Sequence, residues 1–177
     1  MALRLGVNSY VTVPQADSYF QDRLFTEPWD GKPLRQKEQA LVMATTKIDR
    51  LRLEGEKTYG EGQVLQFPRK LYPRSSARRY FPSPFIEYSH VQTTVPEEVR
   101  HAVCEEALAL LDYGNNHRIR LQHQGVSSFS TGDGIQESFG AGKGPSSRKK
   151  LLSEEAYDLL RPYLVVSVPI EGGGGLF

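Results

Sequence analysis

Residues 94–113, TVPEEVRHAVCEEALALLDY, carry the strongest structural signal in the chain. Apolar side chains recur there at steps of three and four residues, which is typical of a helix with one buried face. The buried stripe is predicted to comprise Val99, Ala102, Val103, Leu110 and Leu111. A capping signature at Thr94–Glu97 starts this helix, which we expect to run to about Tyr113. Gly114-Asn115-Asn116 then ends it with residues that tolerate left-handed backbone.

Two further helices are predicted on the amino-terminal side. Thr12-Val13-Pro14-Gln15 is a capping box followed by a helix over residues 13–25, with its buried side formed by Ala16, Tyr19, Phe20 and Leu24. A turn-rich break, residues 27–33, separates it from a helix that begins at Leu34. That second helix buries Leu41, Ala44, Ile48 and Leu51, and Gly55 is its expected stop.

The remaining regular structure is sparse. Four prolines between residues 56 and 95 forbid long helices, and residues 64–67 are predicted to form a short strand. Residues 126–139 surround Gly132-Asp133-Gly134 and predict a β-hairpin. Ser153 is expected to cap a last helix, with Ala156, Tyr157, Leu159 and Leu160 available for burial and Pro162 limiting its length. The predicted fold is mainly α (α+β), a small helical bundle with a β-hairpin and an extended carboxy-terminal arm.

Composition supports one core with long irregular segments. Of the 177 residues, 38% are hydrophobic, 16 are glycine and 11 are proline, so much of the chain is expected to be loop. We predict a domain over residues 1–164, with an inserted loop at 69–95, and an arm over residues 165–177. The net charge of +1 implies no bulk attraction to nucleic acid or to anionic lipid. The sequence shows no basic-plus-apolar leader pattern and no apolar run of about 18 residues, so we expect neither a secretory precursor nor a membrane-spanning protein.

Signals for catalysis are weak throughout. Gly140–Gly144 lacks both the first glycine and the Ser or Thr of a phosphate-binding loop. The four histidines show no paired metal-ligand spacing, and the single cysteine, Cys104, is expected to be a buried structural thiol. Glu97-Glu98 and Glu154-Glu155 lie in first turns, where negative charge favours a helix. We predict no catalytic, cofactor or metal site, and therefore no enzyme.

Charge is nevertheless unevenly placed. A basic and aromatic stretch contains Arg69, Lys70, Tyr72, Arg74, Arg78, Arg79 and Tyr80. Such a stretch is found on surfaces that bind single-stranded nucleic acid, but the same Arg and Tyr enrichment is typical of protein interfaces, which is the interpretation that we favour. Residues 97–112 carry five acids against Arg100 alone, which indicates either a subunit contact or a solvated helix face.

The chain ends on four glycines followed by Leu176 and Phe177. Ordering four glycines is costly, so two large apolar residues behind such a tether are expected to anchor in a pocket. Another chain is the expected owner of that pocket, and a tail that folds back on its own domain is the alternative.

Four segments together resemble a known family. They are SYVTVPQADSYF at residues 9–20, ALVMATTKID at 40–49, LQFPR at 65–69 and VPEEVRHA at 95–102. In this order they resemble the head–tail connector (adaptor) proteins of tailed bacteriophages, including a group often labelled putative DnaT-like single-stranded DNA-binding proteins. Phe67 stands where members of the family usually carry Trp, and the loop at 69–95 is longer than is usual.

The resemblance implies a homo-oligomeric ring, commonly of twelve subunits, in the neck of the virion. Such a ring joins the portal protein to a tail or tail-completion protein, and DNA passes through its channel without sequence specificity. The protein would be made in the host cytoplasm and would contact no membrane. The resemblance also implies that the arm reaches the portal, through Val168, Ile170, Leu176 and Phe177. The alternative function is a DnaT-like single-stranded DNA-binding replication protein.

Overall fold

The computed structural model describes residues 2–72, 90–113, 128–130, 136–138 and 151–165. In these residues helices dominate and strands are short, which confirms the predicted mainly α (α+β) class. The helices are α1 (Val13–Gln21), α2 (Glu27–Asp30), α3 (Leu34–Asp49), α4 (Glu97–Tyr113) and α5 (Glu154–Leu160). The strands are β1 (Glu56–Lys57), β2 (Arg69–Leu71), β3 (His90–Val91), β4 (Ser128–Ser130) and β5 (Gln136–Ser138).

Helix α1 begins as predicted and ends early. The Thr12 hydroxyl accepts a hydrogen bond from the backbone N–H of Gln15, and the Gln15 side chain accepts one from the Thr12 N–H at 2.9 Å. This reciprocal capping box satisfies two amide donors that a helix start leaves unpaired. The helix stops at Gln21 instead of residue 25, so Leu24 lies outside it and is exposed, contrary to the prediction that it is buried.

The predicted turn between the first two long helices contains the short helix α2. Its Trp29 is fully buried and packs against Phe20, with 4.9 Å between the ring centroids. The Trp29 indole N–H donates to the Asp17 carboxylate at 2.7 Å, so the one polar atom of the ring has a partner. Burying so large a side chain fixes this otherwise turn-rich segment against α1.

Helix α4 is the centre of the core, since it packs against α3 on one side and α5 on the other. Leu41, Ala44 and Ile48 of α3 are buried as predicted, whereas Leu51 follows the helix and is only partly buried. On α4 the fully buried side chains include Val99, Ala102 and Val103, and Leu110 and Leu111 pack at the edge of the core. The prediction for α4 is confirmed in extent, but the helix begins at Glu97. The Arg100 N–H donates the first backbone hydrogen bond of the helix to the Pro96 carbonyl. The residue that precedes the helix is therefore Pro96, and Thr94 is not the cap.

Strands β1, β2 and β3 form an antiparallel sheet in that order. Lys70 is paired with Glu56 on one side and with Val91 on the other. The strand predicted at residues 64–67 is wrong, because the sheet uses Arg69–Leu71 and leaves the preceding residues irregular. Gly55 does not stop α3, which ends six residues earlier. It adopts a φ of 75° beside β2 instead, where an added Cβ would lie 1.9 Å from the Lys70 carbonyl oxygen.

The carboxy-terminal part confirms two predictions. Strands β4 and β5 pair antiparallel, with Phe129 opposite Glu137, inside the segment predicted as a hairpin. Ser153 caps α5, since its hydroxyl accepts a hydrogen bond from the Ala156 N–H at 3.0 Å. Ala156 and Leu160 are buried, and a 3₁₀ turn with Pro162 follows the helix at once. The hairpin turn, Gly114–Asn116 and residues 166–177 lie outside the described residues.

Candidate functional site

Three of the four segments that carry the family resemblance, residues 9–20, 40–49 and 65–69, meet inside the molecule around one tyrosine. The Tyr10 hydroxyl donates a hydrogen bond to the Asp49 carboxylate and accepts one from the Phe67 N–H at 3.0 Å. Asp49 also accepts from the Gln66 N–H at 3.3 Å. Burial is the main cause that raises the pKa of both Tyr10 and Asp49 from their ordinary values. This Tyr10 cluster, formed by Tyr10, Asp49 and Phe67, therefore joins the start of the chain, the end of α3 and the segment before β2.

Aromatic packing extends the Tyr10 cluster towards the carboxy-terminal part. Phe67 lies edge-on to Tyr10, with 5.9 Å between ring centroids, and edge-on to Tyr163 at 5.3 Å. Edge-to-face pairs of this kind each add roughly 0.5 to 1.5 kcal/mol beyond burial. The segments that carry the family resemblance thus build the internal frame, with Phe67 as its aromatic anchor.

Arg69, a candidate for nucleic-acid or subunit contact, is only 5% exposed. Its guanidinium donates to the backbone carbonyls of Glu54 and Gly55, both at 2.7 Å, and to the Gln66 side chain at 2.8 Å. A planar fork of donors suits several carbonyls in fixed positions better than a lysine would. Arg69 therefore braces the sheet against the loop that follows α3 and is not presented to a ligand.

The rest of the basic stretch is divided. Lys70 and Tyr72 are half-buried, and the Lys70 ammonium lies 3.9 Å from the Glu56 carboxylate. Arg74, Arg78, Arg79 and Tyr80 lie outside the described residues. The structure thus does not assemble the predicted basic surface in the part of the chain that it describes.

Two acids of α4 are also internal, so neither belongs to a solvated face or a charged subunit contact. Glu106 is fully buried, and its carboxylate accepts from the Lys47 ammonium and from the backbone N–H groups of Leu152 and Ser153. Glu105 is 6% exposed and binds the Tyr19 hydroxyl and the Arg23 guanidinium, both at 2.6 Å. Sequence reasoning missed both, because charged residues are rarely buried unless they are paired.

A polar cavity of about 480 Å³ lies between α1 and α4. The Tyr19 and His101 rings stack in its wall at 4.4 Å, and His101 Nε2 lies 3.7 Å from the Glu97 carboxylate. Cys104 also lines this cavity, but burial raises the pKa of its thiol to about 12. Since only a thiolate is a good nucleophile, Cys104 is inert near neutral pH. This agrees with its prediction as a structural thiol.

An apolar cavity of about 320 Å³ opens near the amino-terminal end of α1. Its apolar walls are formed by Leu5, Tyr10, Leu65, Phe67, Pro68 and Val95. Arg100 lines both this cavity and the polar one, and its buried Nε has no hydrogen-bond partner among the described residues. Sequence analysis did not predict this cavity, because its walls come from three separate segments.

The opposite end of α1 carries an exposed apolar projection. Leu24 is 82% exposed and Phe25 is 81% exposed, although both are large. Phe25 has a φ of 62°, a left-handed conformation that is unusual for a bulky residue other than glycine. We call these two residues the Leu24–Phe25 projection.

Other kinds of site find no support in the described part of the chain. No cluster of three or more His, Cys, Asp or Glu residues suited to a metal ion occurs there. None of the described helices has the length and apolarity needed to cross a membrane. The arm residues Val168, Ile170, Leu176 and Phe177 lie outside the described residues.

Comparison with known proteins places the chain in a family. A family model described as "Putative DnaT-like ssDNA binding protein" matches residues 3–176. No curated protein and no solved structure matches the chain. Because the match covers nearly the whole sequence, the chain belongs to this DnaT-like family.

Proposed function

We propose that this protein is a structural subunit that assembles with copies of itself, as a head–tail connector ring in the neck of a phage virion. In this proposal the ring joins the portal to the tail or a tail-completion protein and lets DNA pass. The proposal needs no catalysis and no cofactor. Its basis is the surface of the described residues together with the sequence resemblance to connector proteins.

The observation that carries the proposal is the Leu24–Phe25 projection. Single exposed apolar residues are ordinary, but Leu24 and Phe25 are adjacent and each is more than four-fifths exposed, which favours a contact with another protein surface. Burial in a neighbour would stabilise the contact by about 1.5 to 3 kcal/mol for each side chain. A monomer gains nothing from holding them in water.

Internal use of charge supports the same proposal. Three charged residues make hydrogen bonds within the subunit: Arg69 of the basic stretch, and Glu105 and Glu106 of the acidic stretch. With a net charge of +1, the chain has no bulk attraction for phosphate backbones. Assembly in this proposal therefore depends on apolar contacts.

The arm is assigned to the portal in this proposal. Its Leu176 and Phe177 follow a four-glycine tether, so a single arm would bind weakly. Repetition around a ring makes such an attachment strong through avidity.

Deletion of residues 171–177 is expected to leave a folded, self-assembling protein that no longer co-sediments with portal rings. A second variant, Leu176→Ser with Phe177→Ser, keeps the chain length and removes only the two apolar side chains. It is expected to lose co-sedimentation with portal rings to the same extent. Undiminished co-sedimentation of both variants would contradict the portal assignment.

Single-stranded DNA binding is the competing function, and the description of the family favours it. It is tested by titrating a labelled oligonucleotide at several salt concentrations. A connector is expected to bind negligibly at physiological salt, whereas a DNA-binding protein binds tightly with a steep salt dependence. Lys70→Ala serves as the surface variant, since Lys70 is partly exposed and Arg69 is not. Tight binding that weakens in Lys70→Ala would replace the connector proposal.

A further inference from the structure

We infer that the subunits join head to tail, with the Leu24–Phe25 projection of one copy seated in the apolar cavity of the next. This inference rests on the proposed self-assembly and names the two surfaces that make it. The argument begins with where the two surfaces lie. Gln15, in the first turn of α1, lines the apolar cavity, and the projection begins three residues after the helix ends at Gln21.

The separation of the two surfaces keeps the projection from reaching the cavity of its own subunit. A nine-residue helix is about 13 Å long, so the cavity and the projection lie at opposite ends of α1. A two-fold pair would use both junctions at once, whereas the proposed ring of more than two subunits requires a heterologous contact. Such a contact leaves an unused half on each outer subunit of an open chain. Repeating that contact closes a ring when the rotation between copies permits it.

Chemistry matches the two surfaces to each other. The cavity is walled mainly by aliphatic and aromatic side chains, and the exposed Leu5 lies at its rim. An aromatic ring and a leucine are the side chains that such a wall accepts without unsatisfied polar groups. The polar cavity, lined by Asp22, Arg23 and Glu97, is a poorer host for the same projection.

Charge complementarity supports a second copy as the occupant. Arg100 supplies a positive charge among the residues that line the apolar cavity. Glu27 is exposed two residues after Phe25 and would arrive together with the projection. Arg100 is half-buried and lines the cavity, so its positive charge lies where the Glu27 carboxylate of the neighbouring copy would arrive.

The left-handed backbone of Phe25 adds an independent reason. Such a conformation is costly for a bulky residue and persists where it is useful. Here it holds the phenyl ring clear of the subunit, where it is 81% exposed. This is the arrangement expected of a side chain that is buried only after assembly.

Two variants test the inference in the full-length chain. Phe25→Asn removes the aromatic half of the projection and places there a residue that tolerates positive φ, so the subunit is expected to fold normally. Thr94→Trp places a large side chain at the cavity, since Thr94 is exposed and lines it. Matched controls are Met43→Asn, at another exposed apolar position, and Thr93→Trp, at the exposed neighbour that does not line the cavity.

Sedimentation velocity supplies the readout. Each test variant alone is expected to stay monomeric while both controls assemble like the unaltered protein. A one-to-one mixture of the two test variants is expected to form a dimer and nothing larger, because only one intact junction can be made. Assembly of Phe25→Asn to the unaltered size, or a mixture that remains monomeric, would overturn the inference. If the unaltered chain itself never assembles, the proposed function fails as well, so the two failures are distinguishable.

Disulfide trapping identifies the occupant directly. In a Cys104→Ala background, Phe25→Cys combined with Thr94→Cys is expected to give a ladder of covalent oligomers on oxidation. The alternative occupant is the chain's own carboxy-terminal tail. A Thr94→Cys and Leu176→Cys pair that closes within one chain, without any ladder from the first pair, would assign the cavity to that tail and refute the inference.

Discussion

Phe25 is unfavourable in the single subunit, and the proposed assembly would make it favourable. Its φ of 62° is strained, and its side chain is almost fully exposed, so removing the phenyl ring costs little packing. At concentrations where the protein is monomeric, Phe25→Asn is expected to raise the free energy of unfolding by about 1 kcal/mol. Urea unfolding measures this. Leu24→Asn is the control, equally exposed but without positive φ, and is expected to give no gain. Equal stability of the two variants would contradict the strain argument.

The buried thiol of Cys104 makes the free energy of unfolding depend on pH in the alkaline range. Burial raises the pKa of its thiol from an ordinary 9.0 to about 12, so the unfolded chain releases this proton before the folded chain does. The folded state then holds more protons, and the free energy of unfolding falls as pH rises between those two values. Cys104→Ala is expected to lessen that fall, as measured by urea unfolding across the same pH range. An unchanged slope would show that the thiol is not the group responsible.

Residues that bear charge were the hardest to place from sequence. Arg69, Glu105 and Glu106 resemble surface residues in any linear pattern, because charged side chains are mostly exposed. Their partners are backbone carbonyls, backbone N–H groups or side chains on distant elements, such as Lys47 for Glu106. Cys104, by contrast, could be predicted as buried, because it lies beside the apolar stripe of its own helix.

Glu106 joins three helices, and this contact belongs to the scale of elements. Its carboxylate on α4 holds Lys47 of α3 and the N–H groups that precede α5. Glu106→Gln is expected to lower the free energy of unfolding by about 2 to 4 kcal/mol, since a buried charge network loses one partner. The control is Glu97→Gln, whose side chain is 69% exposed and should cost less than about 0.5 kcal/mol. Equal losses in chemical denaturation would refute the buried network.

Gly55 permits β2 to approach the loop after α3. A Cβ at this position would overlap the Lys70 carbonyl oxygen, and the φ of 75° is unfavourable for alanine. Gly55→Ala is therefore expected to cost at least about 2 kcal/mol of stability. Gly62→Ala, which meets nothing within 4 Å, is the control and should be nearly neutral. Thermal melts of both variants measure the difference, and a neutral Gly55→Ala would mean that this close approach is not required.

The long helices could be predicted from local sequence signals, whereas the three-stranded sheet could not. Thr12 with Gln15, the stripe on α4 and the Ser153 cap all act within a few residues, so each is readable in sequence. Strands of two or three residues are too short to show an alternating pattern, so the sequence did not reveal β1, β2 or β3. The strand predicted at residues 64–67 was wrong. The Tyr10 cluster depends on contacts between residues 10, 49 and 67, and no local pattern predicts those.

At the scale of the whole molecule, the described residues form an internally braced unit with an exposed apolar feature. Arg69 and Glu106, which sequence analysis assigned to possible contact surfaces, instead make hydrogen bonds that hold elements of the subunit together. Among the exposed large apolar residues that the structure describes, Leu24 and Phe25 are the two most exposed, and the apolar cavity is the surface that we propose they contact. This distribution favours a protein whose work is assembly.

Native mass spectrometry of the purified full-length chain tests the central claim most directly. Closure of a ring fixes the number of subunits, so the account predicts one dominant species at a whole-number multiple of the subunit mass, and no series of open chains. The proposed contact further predicts that Phe25→Asn abolishes that species. A strictly monomeric spectrum at every concentration tested would contradict the account.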